Sequence, residues 1–233
     1  MTVKRLSVVL LFFFICGFVF AGEIYTAPKI TGKIVIDGKL NEWTKVPFIK
    51  LDSQDYLVIA NRGWEGPKDF SAKIYLMWNA DYLYIACEIT DNVTLQEKTG
   101  ATIFQGDTVE IYLRMNLFED AGKTFYTTSD YQFGFTPGTD AEAPDWNLWN
   151  NSRGFGDVLL ETQKTATGYT LEIAIPIWEM DMELEPSLEI GFDVAIDDVD
   201  NLGAPDTEVQ LCWSKSSEGW ANPTVFQTLI LGK

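Results

Sequence analysis

The chain has 233 residues, of which 34 are Asp or Glu and 17 are Lys or Arg, for a formal net charge of −17. That balance lacks the basic footprint of a nucleic-acid binder and repels anionic membrane surfaces. The absence of histidine removes the commonest general base, the usual serine-protease dyad and the usual zinc ligand, while aromatics at 14% argue for a packed core over disorder.

The chain opens with Lys4 and Arg5, then an apolar run, "LSVVLLFFFICGFVFA", that closes at Ala21. This is the pattern of a secretory signal peptide over residues 1–21. Residues 22–233 are then expected to form one exported domain, extracellular or periplasmic. A retained anchor is the other reading, since the run is near the lower length for a spanning helix. Cleavage would remove Cys16 and leave Cys87 and Cys212, as one disulfide or as two buried thiols; both remain open.

Farther along, the dominant period is two, the period of a strand. In chain order the alternating runs are "AKIYLMW", "YLYIACEIT", "GDTVEIYLRM", "DYQFGF", "YTLEIAIP", "SLEIGFDVAID" and "TEVQLCW", with "PTVFQTLIL" as a closing strand. In the third, Val109, Ile111, Leu113 and Met115 make an apolar face, and Thr108, Glu110, Tyr112 and Arg114 point the other way. In the sixth, Leu188 to Ile196 alternate inward against Glu189, Asp193 and Asp197. "NAD" at 79–81 and "TATGY" at 165–169 read as hairpin turns, and "IWEMDM" after Pro176 as one short helical turn. No long amphipathic helix is visible. Roughly ten strands with polar outward faces predict an all-β fold, an antiparallel, jelly-roll-like β-sandwich.

Two irregular stretches interrupt the strands, "NRGWEGPKD" at 61–69 and "TPGTDAEAPDWNLWNNSRGFGD" at 136–157. They bear on the tryptophans. Trp43, Trp78, Trp178 and Trp213 lie on or beside apolar segments and are expected in the core. Trp64, Trp146, Trp149 and Trp220 sit among Gly, Asn, Asp and Pro. Loop aromatics on an exported domain mark a binding surface. The apolar C–H face of a sugar ring suits such a platform, with Asp, Glu, Asn, Gln or Arg at its rim to meet the hydroxyls.

"DDVDN" at 197–201 clusters Asp197, Asp198 and Asp200 just beyond a strand, oxygen ligands of the kind calcium takes, without the spacing of an EF-hand. Asp107 and Glu110 have opposite parity in their strand, so they cannot flank one glycosidic bond as a catalytic acid pair would. No phosphate loop and no G-x-S-x-G elbow occurs. The residues point to a binding protein and not to an enzyme.

Six stretches, in order, resemble the family 9 carbohydrate-binding modules, β-sandwiches that accompany xylanases or stand alone. They are "IDGKLNEW" (36–43), "AKIYLMWNADYLYIACEITD" (72–91), "FQGDTVEIYL" (104–113), "GYTLEIAIPIWEM" (168–180), "IGFDVAIDDVDN" (190–201) and "LCWSKSSEGWANPTVFQTLIL" (211–231). The resemblance implies a non-catalytic, DOMON-like sandwich that binds oligo- or polysaccharide and assists glycoside hydrolases in xylan or cellulose degradation. It places the family's two sugar-clamping aromatics at Phe104 and Trp220 and its rim glutamate at Glu110. It also implies structural calcium, which strengthens the reading of Asp197, Asp198 and Asp200.

The chain departs from the family where a rim arginine would fall near Gly134 and a rim glutamine near Ala195. Arg114 and Gln132, outward on neighbouring runs, are candidates to replace them, and Trp146 and Trp149 to extend the platform. Two other readings compete. Related sandwiches bind haem, but without histidine only Met77, Met115, Met180 and Met182 could serve as axial ligands, and C-x-x-C-H is absent. The third reading is a cell-surface protein-interaction module.

Overall fold

The computed structural model describes residues 22–233 apart from 33, 140, 141, 151–154, 181, 202 and 205. The expected signal peptide, residues 1–21, lies outside the described residues. Among these there are thirteen strands in two sheets. The smaller sheet takes β2 (Phe48–Leu51), β4 (Phe70–Trp78), β5 (Tyr82–Asp91), β10 (Gly168–Pro176) and β9 (Leu159–Thr165), in the order β2-β4-β5-β10-β9. The larger runs β1 (Ile24–Ala27), β13 (Gln227–Leu231), β11 (Glu189–Asp198), β6 (Thr108–Arg114), β7 (Asp130–Thr136) and β8 (Asp145–Leu148); β12 (Val209–Cys212) also pairs with β11, and β3 (Leu57–Ala60) with β12.

Every alternating run of the sequence is a strand. The added strands are β1, β2, β3, β8 and β9, most of them four residues long. Such segments show little periodicity of their own and are made strands by the neighbour they pair with. β8 falls inside the long irregular stretch, where Phe135 pairs with Trp146. One pair departs from the antiparallel rule: β1 runs parallel to β13. The helical turn after Pro176 is a 3-10 helix, Ile177–Met180.

Alternation builds the core. Val109, Ile111 and Leu113 of β6, Phe133 and Phe135 of β7, and Ile190, Phe192, Val194 and Ile196 of β11 meet Leu76, Ile85, Leu171 and Ile173 from the other sheet. A second cluster forms where residues 30–46 cross the back of the smaller sheet. There Trp43 donates its Nε1 hydrogen to Glu172 Oε1 (2.7 Å), and Glu172 Oε2 accepts the backbone N–H groups of Asp37 and Gly38 (2.9 and 2.8 Å). These three donors satisfy a carboxylate that would otherwise be costly to bury.

The tryptophans divide differently from the expectation. Trp43, Trp78 and Trp213 are buried, but Trp178 is half exposed, edge-on to Tyr82 at 5.0 Å. Trp64, expected on a surface loop, packs against the core and donates from Nε1 to the Phe70 carbonyl (2.8 Å). Cys87 and Cys212 are both buried and free; alternation sends Cys87 into the core and Cys212 to the far side of the larger sheet.

Candidate functional site

The outward face of the larger sheet is covered as well. In β6 every residue is buried, Glu110, Tyr112 and Arg114 included. What covers this face is irregular chain: the 3-10 helix Gly100–Gln105, Trp149 and Asn150 just after β8, and the loop between β12 and β13. Together they leave a cavity of about 500 Å³, a volume typical of small-molecule sites.

Phe104, Glu110, Gln132, Trp149 and Trp220 all line this cavity. Glu110 and Gln132 come from adjacent strands, with Glu110 opposite Gly134 and Gln132 opposite Tyr112. Glu110 Oε2 accepts hydrogen bonds from the Tyr112 hydroxyl and from Gln132 Nε2 (2.9 Å), and Gln132 Oε1 accepts from Asn150 Nδ2 (2.6 Å). Burial, then the charge of Glu110, pushes the Tyr112 hydroxyl well above its ordinary range, so it stays a donor.

Gly134 is the reason Trp149 fits. A β-carbon on Gly134 would stand 2.3 Å from the six-membered ring of Trp149. The indole lies over the bare backbone of β7, donates from Nε1 to the Ala101 carbonyl (3.0 Å) and meets Phe104 edge-on at 6.2 Å. Trp220 lines the cavity from the loop between β12 and β13 and is 65% exposed. Its loop is tied down: Tyr126 donates to the Gly219 carbonyl (2.7 Å), and the Ala221 and Asn222 N–H groups bond the Glu218 carbonyl. A large apolar ring is thus held in water by a fixed backbone.

Arg114 and Trp146 do not line the cavity. The Arg114 guanidinium is buried and grips Asp130 with two bonds, Nε at 2.9 Å and Nη2 at 3.0 Å, and it also donates to the carbonyls of Lys123 and Phe125. It fastens the loop that carries Tyr126. Trp146 packs against the core beside Phe133. Ala195, fully buried and opposite Glu110, sits beside Tyr112 and Cys212 under the cavity. Sequence reasoning missed Tyr112, Gln210 and Cys212, although Tyr112 shares the parity of Glu110, and it missed Asn150 and Asp206, which carry no periodic signal. Met115, one possible axial ligand, is a core side chain.

The acidic run at the end of β11 is split by alternation. Asp197 turns to the cavity side, where it accepts from Gln210 Nε2 (2.8 Å); burial, then the charge of Glu110, raises its carboxyl well above the ordinary range. Asp198 and Asp200 instead join Asp91 of β5, with carboxylate oxygens all within 4.8 Å of one another. Arg62 bridges Asp198 and Asp200 and approaches Asp69 at 3.5 Å. One oxygen of each of Asp91, Asp198 and Asp200 is buried with no hydrogen-bond partner among the described residues.

A sheet sandwich with an aromatic-lined cavity on one outer face has the architecture of a binding module. Residues 36–233 match the family described as "Carbohydrate family 9 binding domain-like", and the chain belongs to that family of carbohydrate-binding modules. The chain is 28% identical over 207 residues to the exoglucanase XynX of Acetivibrio thermocellus, covering 88% of this chain and 17% of that one. It is 28% identical over 208 residues to endo-1,4-beta-xylanase A of Thermoanaerobacterium saccharolyticum, covering 88% and 16%. The chain therefore spans less than a fifth of either enzyme. The fold matches two structures of a family 9 carbohydrate-binding module from Caldicellulosiruptor kristjanssonii. One is a complex with cellotriose (TM-score 0.69, 19% identity, 90% of this chain and 94% of that one). The other is a complex with glucose (TM-score 0.70, 20% identity, 91% and 97%).

Proposed function

We propose that the protein is an exported, non-catalytic module that binds an oligosaccharide in the cavity beneath Trp220. The observation that carries this reading is the meeting of Phe104, Trp149 and Trp220 around Glu110 and Gln132. Flat rings take the C–H face of a sugar, and the carboxylate and amides take its hydroxyls. The cellotriose and glucose complexes of the structural neighbours favour a glucan as the ligand. Glycoside hydrolases that degrade xylan or cellulose are the partners its relatives favour. Export rests on the charged start and apolar run of residues 1–21. With Gly134 and Ala195 in place of two hydrogen-bonding side chains, the affinity is expected to be modest. Titrating the intrinsic tryptophan fluorescence with a panel of neutral oligosaccharides tests the reading. A saturable shift with one glycan class is expected, and a flat response across the panel would refute it.

Structural calcium belongs to the same proposal, at Asp91, Asp198 and Asp200. Hard carboxylate oxygens suit that ion, and their unpartnered buried atoms fit it. Arg62 alone does not balance the cluster, because Asp69 shares its charge. Bound there, the ion would neutralise like charges and tie β5 to the turn after β11. Asp197, on the other side of the sheet, is not part of this set.

A further inference from the structure

The cavity carries charge of one sign. Glu110 and Asp206 line it, and among the described lining residues there is no Lys or Arg. Of the described cations, Arg114 is paired with Asp130 and Lys215 with Glu23. Between Glu110 and Gln210 lies Asp197, fully buried on the cavity side of the sheet; Gln210 donates to its Oδ1, and its Oδ2, beside the Glu110 carboxyl, meets no amide or hydroxyl donor among the described residues. The contrast with the rest of the fold is plain. Asp130 has Arg114, Asp120 has Lys123, Asp198 has Arg62, and Glu172 has three N–H donors. Glu110 and Asp197 are two buried carboxyls side by side, and among the described residues neither is paired with a Lys or Arg.

We infer that the cavity is matched to a sugar bearing a free ammonium group, a 2-amino-2-deoxyhexose unit in place of a neutral hexose. The inference rests on the sugar-binding reading and adds its specificity. The ring stacks on the aromatics as a neutral sugar would. One hydroxyl is replaced by an ammonium turned toward Glu110 and Asp197. Such an ammonium makes charge-assisted hydrogen bonds, which are stronger than neutral ones, and it is attracted by the faces of Trp149 and Trp220. A rim arginine in place of Gly134 would oppose that cation, so the glycine and the acid pair point the same way.

The test compares three trimers by isothermal titration: the glucosamine trimer, cellotriose and the N-acetylglucosamine trimer. It is run at about pH 6, where the amine is protonated, and in about 0.15 M salt, which screens charges farther than roughly 8 Å. The glucosamine trimer should bind roughly tenfold tighter than either neutral trimer, the gain of a charge-assisted bond over a neutral one. In Asp197→Asn that ratio should fall toward one. Cellotriose binding as tightly as the glucosamine trimer would overturn the inference and leave the sugar-binding reading standing. An unchanged ratio in Asp197→Asn would overturn it too, by assigning the preference to the protein's overall charge. No binding of any trimer would take down both.

Discussion

The ring of Trp149 lies over Gly134 so closely that a β-carbon there would come within 2.3 Å of it. The absence of one side chain on β7 creates the seat for another that lines the cavity, so a position poor in chemistry shapes it. Gly134→Ala should therefore unseat the indole or strain β7, costing about 1–3 kcal/mol of stability as overpacking does. Urea unfolding followed by tryptophan emission checks this; a variant as stable as the parent, with unaltered emission, would contradict the packing.

Arg114 and Asp130 form the ion pair that closes the loop behind Tyr126. Removing one partner of a buried pair strands the other charge, at a cost of about 3–5 kcal/mol. Arg114→Ala should show that loss in denaturant unfolding. A change below about 1 kcal/mol, the range of an exposed pair, would mean that Asp130 finds another partner.

Stability should depend on pH and calcium together. Burial, chiefly, raises Asp198 to about 8 and raises Asp91 and Asp200 in the same direction. A raised acid favours folding fully below its ordinary value near 4 and loses that contribution as pH climbs through the folded value. Without calcium, Tm should fall between about pH 4 and about pH 8. Calcium binds the ionised carboxylates, so the Tm it adds should grow over the same interval. Calorimetry with chelator and with calcium reads both trends; equal Tm values at the upper pH would remove calcium from the account.

Cys212 lines the cavity, yet its thiol should be inert. Burial, then the charge of Asp193, holds it well above the ordinary range, and burial alone raises Cys87. The thiolate is the reactive form. An alkylating reagent should label neither thiol in the native protein and both after denaturation, by intact mass. Rapid native labelling, or a mass showing a disulfide, would contradict the buried arrangement.

Much of this was legible in the sequence, and the failures share physical causes. Period-two runs located the long strands, because a half-buried strand must alternate. The short strands β3 and β8 were not visible, since four residues carry too few alternations. Parity put Glu110, Gln132 and Arg114 on the same outward face. It could not tell a cavity-lining carboxylate from a guanidinium buried under a loop against Asp130. Loop composition pointed to Trp149 and Trp220, but the same composition surrounds Trp64 and Trp146, which fold back onto the core. Asp198 and Asp200 read as a cluster with Asp197 by adjacency. Alternation along β11 separates them, and Asp91, more than a hundred residues earlier, joins only when the two sheets close.

In the proposed mode of binding, Trp220, held in water by a fixed loop, stacks a sugar ring. The most direct measurement is the affinity of the parent protein and of Trp220→Ala for cellotriose, by isothermal titration. Because the ring is 65% exposed, its loss should leave Tm nearly unchanged. Saturable binding by the parent is expected, with at least roughly tenfold weaker binding by the variant, the cost of removing an aromatic hot spot. Equal affinity in the two proteins would contradict it.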